Sequence, residues 1–253
     1  MFIQKLFFLV SFLFIFSSSL YADECTSLDN QARDAHNSKN VTLELKLLND
    51  MCEKSCYSGF GYSGLIKAYR EGTIVKKNIK KADEITFKSC DEYHNSFDCF
   101  QISLNYQKLN NIPKYIEYAD KSCQAGILPS CFDLGIHFFK GDIIKTDYVK
   151  SKYYFLKITS APKVGVEMLS NAQASIANIY ENGLGVRQDY FESMQYNKLA
   201  CDNDNSTACM KLASQYYQGK GAHQDIPLAK ESFGKACDLG IQRGCDFYKE
   251  LDK

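Results

Sequence analysis

The stretch Leu199-Ala-Cys201-Asp-Asn-Asp-Asn-Ser-Thr-Ala-Cys209-Met-Lys-Leu212-Ala213-Ser-Gln-Tyr216 decides the architecture, because the chain repeats it from Lys235 to Tyr248. In both copies two cysteines stand eight positions apart, and Cys201 to Cys237 and Cys209 to Cys245 are each a step of 36. A fixed step of that size implies a stack of like helical hairpins. No such hairpin buries its apolar face alone, so neighbours must stack, and a covalent bond between neighbours acts where the stack is weakest.

The register extends upstream. Ala174-Ser-Ile-Ala-Asn-Ile-Tyr180-Glu-Asn-Gly183-Leu-Gly185-Val-Arg-Gln-Asp189 matches Met210-Lys-Leu-Ala-Ser-Gln-Tyr216-Tyr-Gln-Gly219-Lys-Gly221-Ala-His-Gln-Asp225. Gly183 and Gly219 suit the left-handed end of a helix, and Asp189 and Asp225 suit the cap of the next one. A third repeat, Cys131 to Thr159, keeps Leu134, Gly135, Phe138 and Gly141, with Asp147 as its cap. Thr159 replaces its closing cysteine and Gln173 the cysteine opening the fourth repeat, so both members of one pair are lost together around an inserted stretch, Ser160 to Ser170. The second repeat, Cys99 to Cys123, has a turn from Gln107 to Pro113 that is four residues short and lacks glycine. The first, from Gly61 to Cys90, carries Leu65, Ile66, Tyr69 and Gly72, with Tyr62 where a cysteine stands later.

Residues 23–60 read as an atypical N-terminal cap of two helices, Leu28 to Ala35 and Val41 to Met51, and the chain closes on a lone amphipathic helix, Cys245 to Leu251. An antiparallel hairpin in the cap brings Cys25 close to Cys52 or Cys56 and leaves one of the three over; Cys52 is carried in the expected disulfide set. Ahead of the cap, Met1 to Ala22 has one basic residue (Lys5), an apolar run Leu6 to Phe16, a serine step and Leu20-Tyr21-Ala22, the layout of a secretory signal cleaved after Ala22. The run is too short and too interrupted for a spanning helix. Cys25 follows Ala-Asp-Glu, which is no lipobox. The chain is therefore expected to be secreted or periplasmic, off the membrane once the signal is removed. In that setting 11 cysteines read as a disulfide framework. Zinc is excluded by spacing, since the pairs have seven or eight intervening residues and the four histidines are scattered, so no metal and no cofactor are expected. The net charge is zero, which argues against a nucleic-acid partner.

The pattern Ala-x-Leu/Ile-Ala-x-x-Tyr-x-x-Gly-x-Gly-Val-x-x-Asp followed by Ala-Cys-x7-Cys resembles the Sel1-like repeat family, relatives of the tetratricopeptide hairpins, and with its in-register cysteines is similar to the secreted Helicobacter cysteine-rich proteins. The likeness runs from Gly61 to the C-terminus and is strongest in the last two repeats. It implies an all-α fold, a superhelix of αα-hairpin repeats (a tetratricopeptide-like α-solenoid) stapled by disulfides over residues 61–253. It also implies bonds from the second helix of one repeat to the first helix of the next: Cys90–Cys99, Cys123–Cys131, Cys201–Cys209 and Cys237–Cys245. Each such short loop is worth about 2–3 kcal/mol through the entropy of the unfolded chain.

Two functions follow. Helix-pair solenoids present extended concave surfaces, and the first-helix positions opposite Leu212 and Tyr216 face that groove: Lys211, Ser214 and Gln218, matched by Asn178 and Asn182, Asp133 and Lys140, Gln101 and Lys108, and Lys67 and Glu71. Polar side chains there suit hydrogen bonding to an extended backbone or a carboxylate, and point to a monomeric scaffold for a protein or peptide of host or cell-wall origin. The cysteine-rich resemblance implies instead penicillin binding and β-lactamase activity. A serine β-lactamase needs Ser-x-x-Lys and Lys-Thr-Gly. Ser232-Phe-Gly-Lys235 matches the first, mid-helix, and nothing matches the second, so no catalytic residue is assigned. The histidines His36, His94, His137 and His223 lack a Ser, Cys or carboxylate at telling spacing and are read as surface or interhelix residues.

Overall fold

The computed structural model describes residues 23–54, 56, 61–92 and 94–251; the leader read at Met1 to Ala22 lies outside them. The fold is all-α, built of tetratricopeptide-like helical-hairpin repeats joined by disulfides, with no strand among the described residues. The chain divides into two compact bodies, one ending at Ile102 and one beginning at Ser103. The first holds α1 (residues 23–37), α2 (Val41–Glu53), α3 (Gly61–Lys67), a π-helical turn (Ala68–Gly72), α4 (Ile79–Asp91) and the first half of α5 (Ser96–Lys108), around Ala32, Leu48, Met51 and Leu65. The second holds the rest of α5, then α6 (Ile112–Gln124), α7 (Leu128–Lys140), α8 (Tyr148–Thr159), α9 (Val166–Asn182), α10 (Tyr190–Asp202), α11 (Ser206–Gln218), α12 (Ile226–Asp238) and α13 (Gln242–Glu250). From α6 onward each helix packs on the next, which is how a hairpin array buries its apolar stripes.

Local chemistry sets the boundaries. The side chains of Asp147, Asp189 and Asp225 accept backbone N–H groups from the first turns of α8, α10 and α12. Asn78 and Asn111 do the same for α4 and α6. Satisfying orphan donors in this way is worth about 1 kcal/mol per cap. The cap residue also donates its own N–H to the aromatic one turn from the end of the preceding helix: Asp189 to the Tyr180 carbonyl and Asp225 to that of Tyr216, both at 3.0 Å. Asn111 makes the same bond to Tyr106 at 2.9 Å, so the four residues missing from the second repeat shorten the turn without losing its closing bond. Asn110, at φ 55°, supplies the left-handed residue there in place of glycine. At Gly221 no other residue fits, since a Cβ would stand 2.3 Å from the Tyr190 carbonyl oxygen.

Three expectations change. The stretch Ser160 to Ser170 is not wholly an insertion between helices, because α9 starts at Val166 and is 17 residues long where its counterpart α11 has 13. The terminal helix begins at Gln242, three residues before Cys245. In the N-terminal cap Cys25 pairs with Cys56, not with Cys52. The Cys56 N–H bonds the Met51 carbonyl at 2.9 Å, turning the chain back past the end of α2 and burying Cys56 against α1, while Cys52 stays on the helix. The other four bonds are Cys90–Cys99, Cys123–Cys131, Cys201–Cys209 and Cys237–Cys245, with Cα separations of 4.6 to 4.9 Å.

Candidate functional site

The first-helix residues singled out from the sequence divide between the bodies: Lys67, Glu71 and Gln101 in the first, the rest in the second. Lys67, Glu71, Lys108, Lys140, Asn182 and Gln218 are exposed, while Gln101, Asp133, Asn178, Lys211 and Ser214 are half-buried. Several meet neighbours. The Asn182 side chain donates to Asn178 Oδ1 at 2.6 Å, Lys211 on α11 forms an ion pair with Glu181 on α9, and the Ser214 hydroxyl donates to the Met210 carbonyl of its own helix. Lys211, Ser214 and Gln218 also line a concavity of about 500 Å³ between α11 and α13, with Met210, Phe233 and Phe247 beneath them and Arg243 on its rim.

A second polar group lies on α7. Asp133 and His137 stand one helical turn apart, and the His137 Nδ1–H donates to Asp142 at 2.7 Å while Gln107 on α5 donates to Nε2 at 3.3 Å. The imidazole holds the Asp142 carboxyl below the usual aspartate range. Burial pushes Asp133 above it, partly offset by His137. The Tyr115 hydroxyl is buried beside this group without a hydrogen-bond partner, and burial, with the fields of Asp133 and Asp142, raises its pKa well above the ordinary phenol range. Both imidazole nitrogens are engaged, one by Asp142 and one by Gln107. Two histidines thus have carboxylate partners that were not expected from the sequence: His137 meets Asp142, five residues on, and His36 donates from Nδ1 to Glu44, eight residues on, at 2.9 Å.

The Sel1 repeat model matches residues 61–82, 128–161, 170–205 and 206–241, half of the chain. The chain belongs to the Sel1 repeat family. The unmatched interval between the first two matches holds the second repeat, the one with the short turn. Among solved structures, a Sel1 repeat protein of Oxalobacter formigenes is 17% identical, with a TM-score of 0.56 over 83% of this chain and 84% of that one. A protective antigen of uropathogenic Escherichia coli with an SLR fold is 16% identical, with a TM-score of 0.55 over 81% of this chain, which spans 43% of that protein's length. A relative in sequence is cytochrome c oxidase assembly factor 7 of Xenopus tropicalis, 25% identical over 179 residues, 65% of this chain and 74% of that protein.

Within the last Sel1 repeat, the Ser232-x-x-Lys235 match is taken apart by its surroundings. The Ser232 hydroxyl donates to the Leu228 carbonyl at 2.8 Å, one turn back on the same helix. Lys235 pairs with Asp204 at 3.1 Å, in the turn before α11. Ser232 is committed to its own helix and Lys235 to the end of α10 and the turn after it. The residues that sequence reasoning passed over are Glu181, Arg243 and Phe247. Arg243 lies ahead of Cys245, where the terminal helix was expected to start, Phe247 lies on that helix, and Glu181 sits at the register position of Tyr217.

Proposed function

We propose that this Sel1 repeat chain is an exported, non-catalytic scaffold that holds a protein or peptide segment along the first-helix face of the repeats in its second body. The carrying observation is the concavity between α11 and α13, where polar groups in repeat register rim an apolar floor, the composition of a recognition pocket. Five disulfides support function in an oxidising compartment, secreted or periplasmic. No helix among the described residues is long and apolar enough to cross a membrane. The in-register cysteines favour a place beside the Helicobacter cysteine-rich proteins. The β-lactamase activity implied by that likeness finds no arrangement of described residues to carry it.

The test is site-specific photo-crosslinking in the exporting cell. A crosslinker at Lys140 or Asn178 is expected to capture one partner segment, and the same group at Leu199, on the outer side of α10, is expected to capture nothing. Combined substitution of Lys140, Asn178 and Gln218 by alanine is expected to abolish co-precipitation of that partner. Unchanged co-precipitation by a folded triple variant assigns binding to another face.

A further inference from the structure

Two pairs of successive first helices in the second body are tied across their polar face. Gln107 on α5 reaches His137 on α7, and Glu181 on α9 pairs with Lys211 on α11. A step of 36 carries the second of these pairs onto Tyr217 and Phe247, so the last interface, between α11 and α13, has two aromatic residues where the one before it has an ion pair. Tyr217 is 47% exposed, and both rings line the concavity of about 500 Å³. The bridge is absent and an apolar floor is left open.

The rim carries three cations, Lys211, Lys220 and Arg243, and two carboxylates, Glu181 and Glu250. Lys211 is neutralised by Glu181 and the Lys220 ammonium lies 5.5 Å from the centre of the Tyr190 ring. The Arg243 guanidinium rests 5.4 Å over the Phe247 ring and has no carboxylate partner among the described residues. Glu250 is the remaining acidic rim residue. A guanidinium over an aromatic ring has N–H donors left to offer a planar carboxylate. The volume suits one large side chain with its carboxylate, not a chain running through.

From this we infer that the concavity between α11 and α13 receives the C-terminal residue of a partner polypeptide, its apolar side chain on Met210, Phe233 and Phe247 and its α-carboxylate on Arg243. The inference rests on the scaffold reading and names the ligand class at one end of it.

The chain contains no tryptophan, so the indole of acetyl-Gly-Ser-Gly-Leu-Trp reports its own burial when titrated with the oxidised protein. The free acid is expected to bind saturably with a blue-shifted emission. Its C-terminal amide, and an amidated version extended by Asp, are expected to bind about tenfold more weakly, the scale of a lost charge-assisted hydrogen bond. Arg243→Gln should bring the free acid down to the level of the amide with an unchanged melting temperature, and Arg243→Lys should recover part of the difference. Equal binding of acid and amide, equal binding of the Asp-amide peptide, indifference to Arg243→Gln, or no binding by free acids ending in Trp, Phe or Leu would each overturn the inference. A partner crosslinked from Lys140 and Asn178 without any such terminal binding removes the end site alone. Arg243-dependent peptide binding without a crosslink removes the extended-face reading alone.

Discussion

Two kinds of joint hold neighbouring repeats together in the second body, and they solve one problem by different means. At α10–α11 the bond Cys201–Cys209 crosses the joint, with Ala200 and Ala208 fully buried beside it. At α6–α7 the bond Cys123–Cys131 is accompanied by Ser130 donating to Ser122 at 2.9 Å. At α8–α9 the cysteine positions hold Thr159 and Gln173, and no bond is possible. There Phe155, Ile158, Ala172 and Ile176 are fully buried in one cluster, and Val164 just before α9 and Met168 in its first turn pack against it. Burying one such side chain is worth about 1.5–3 kcal/mol, close to the 2–3 kcal/mol of a short-loop disulfide. Val164 and Met168, both partly buried, add apolar contact at the joint that lacks a staple.

That comparison breaks most sharply at Phe155, which packs edge-on to Phe132 at 6.0 Å and lies so near α7 that a Cβ on Gly135 would meet its ring at 2.8 Å. Phe155→Ala is expected to cost about 3–5 kcal/mol in urea denaturation, the range for a buried aromatic. Removing the staple instead, with Cys201→Ala and Cys209→Ala together, should cost about 2–3 kcal/mol and loosen hydrogen-exchange protection in α10 and α11 first. Were the double cysteine variant to lose more stability than Phe155→Ala, the joints would not be equivalent.

The joint in the first body differs in carrying charge. Ser89 donates to Asp98 next to the Cys90–Cys99 bond, and Asp98 is buried. Burial raises the Asp98 pKa, with the Ser89 hydrogen bond and Arg70 acting the other way. For an acid raised on folding, the favourable contribution of the protonated form is complete below the unfolded pKa and is lost as pH rises through the folded value. Asn mimics the protonated acid. Wild type and Asp98→Asn should therefore melt together near pH 3, and wild type should fall behind as pH rises to about 7, by less than the loss of a disulfide. Parallel melting curves across that range would mean that the carboxylate is solvated and the joint is neutral in effect.

Most of the helical frame was legible because its determinants are local. Asp147, Asp189 and Asp225 cap the helices that follow them, and Gly183 and Gly219 take the left-handed conformation, φ 64° and 67°, because each depends on a few adjacent residues. The choice between Cys52 and Cys56 was not legible, since it turns on one backbone bond from Cys56 to Met51 that redirects the chain. Its consequence is chemical: burial pushes the Cys52 thiol up to about 12, leaving it protonated and slow to alkylate in the native state. The site was legible as a set of register positions only. Lys211 and Glu181 are thirty residues apart, and their meeting depends on how one repeat is rotated on the next, which no single-helix pattern encodes.

The smallest expected effect belongs to Ser232, where the last repeat departs from the others. In repeats two to four the core aromatic of the first helix stacks on an aromatic of the second: Tyr106 on Tyr118 at 5.7 Å, Phe138 on Tyr154 at 5.8 Å, Tyr180 on Tyr196 at 6.1 Å. The same register position in the fifth repeat, facing Tyr216, is Ser232. It is a core position that has shrunk, 8% exposed, with a hydroxyl that satisfies itself on Leu228. A nucleophile needs a base within hydrogen-bond reach and aimed N–H donors for the oxyanion. A mid-helix serine has neither, because the surrounding N–H groups are held in the helix ladder and Lys235 is turned to Asp204. Ser232→Ala should shift stability by no more than about 0.5 kcal/mol. It should leave any nitrocefin turnover by the oxidised protein within about threefold, since removing a true nucleophile costs orders of magnitude. A thousandfold loss on that change, with the helical circular dichroism intact, would place chemistry in the last repeat and reverse the contrast with the three stacked ones.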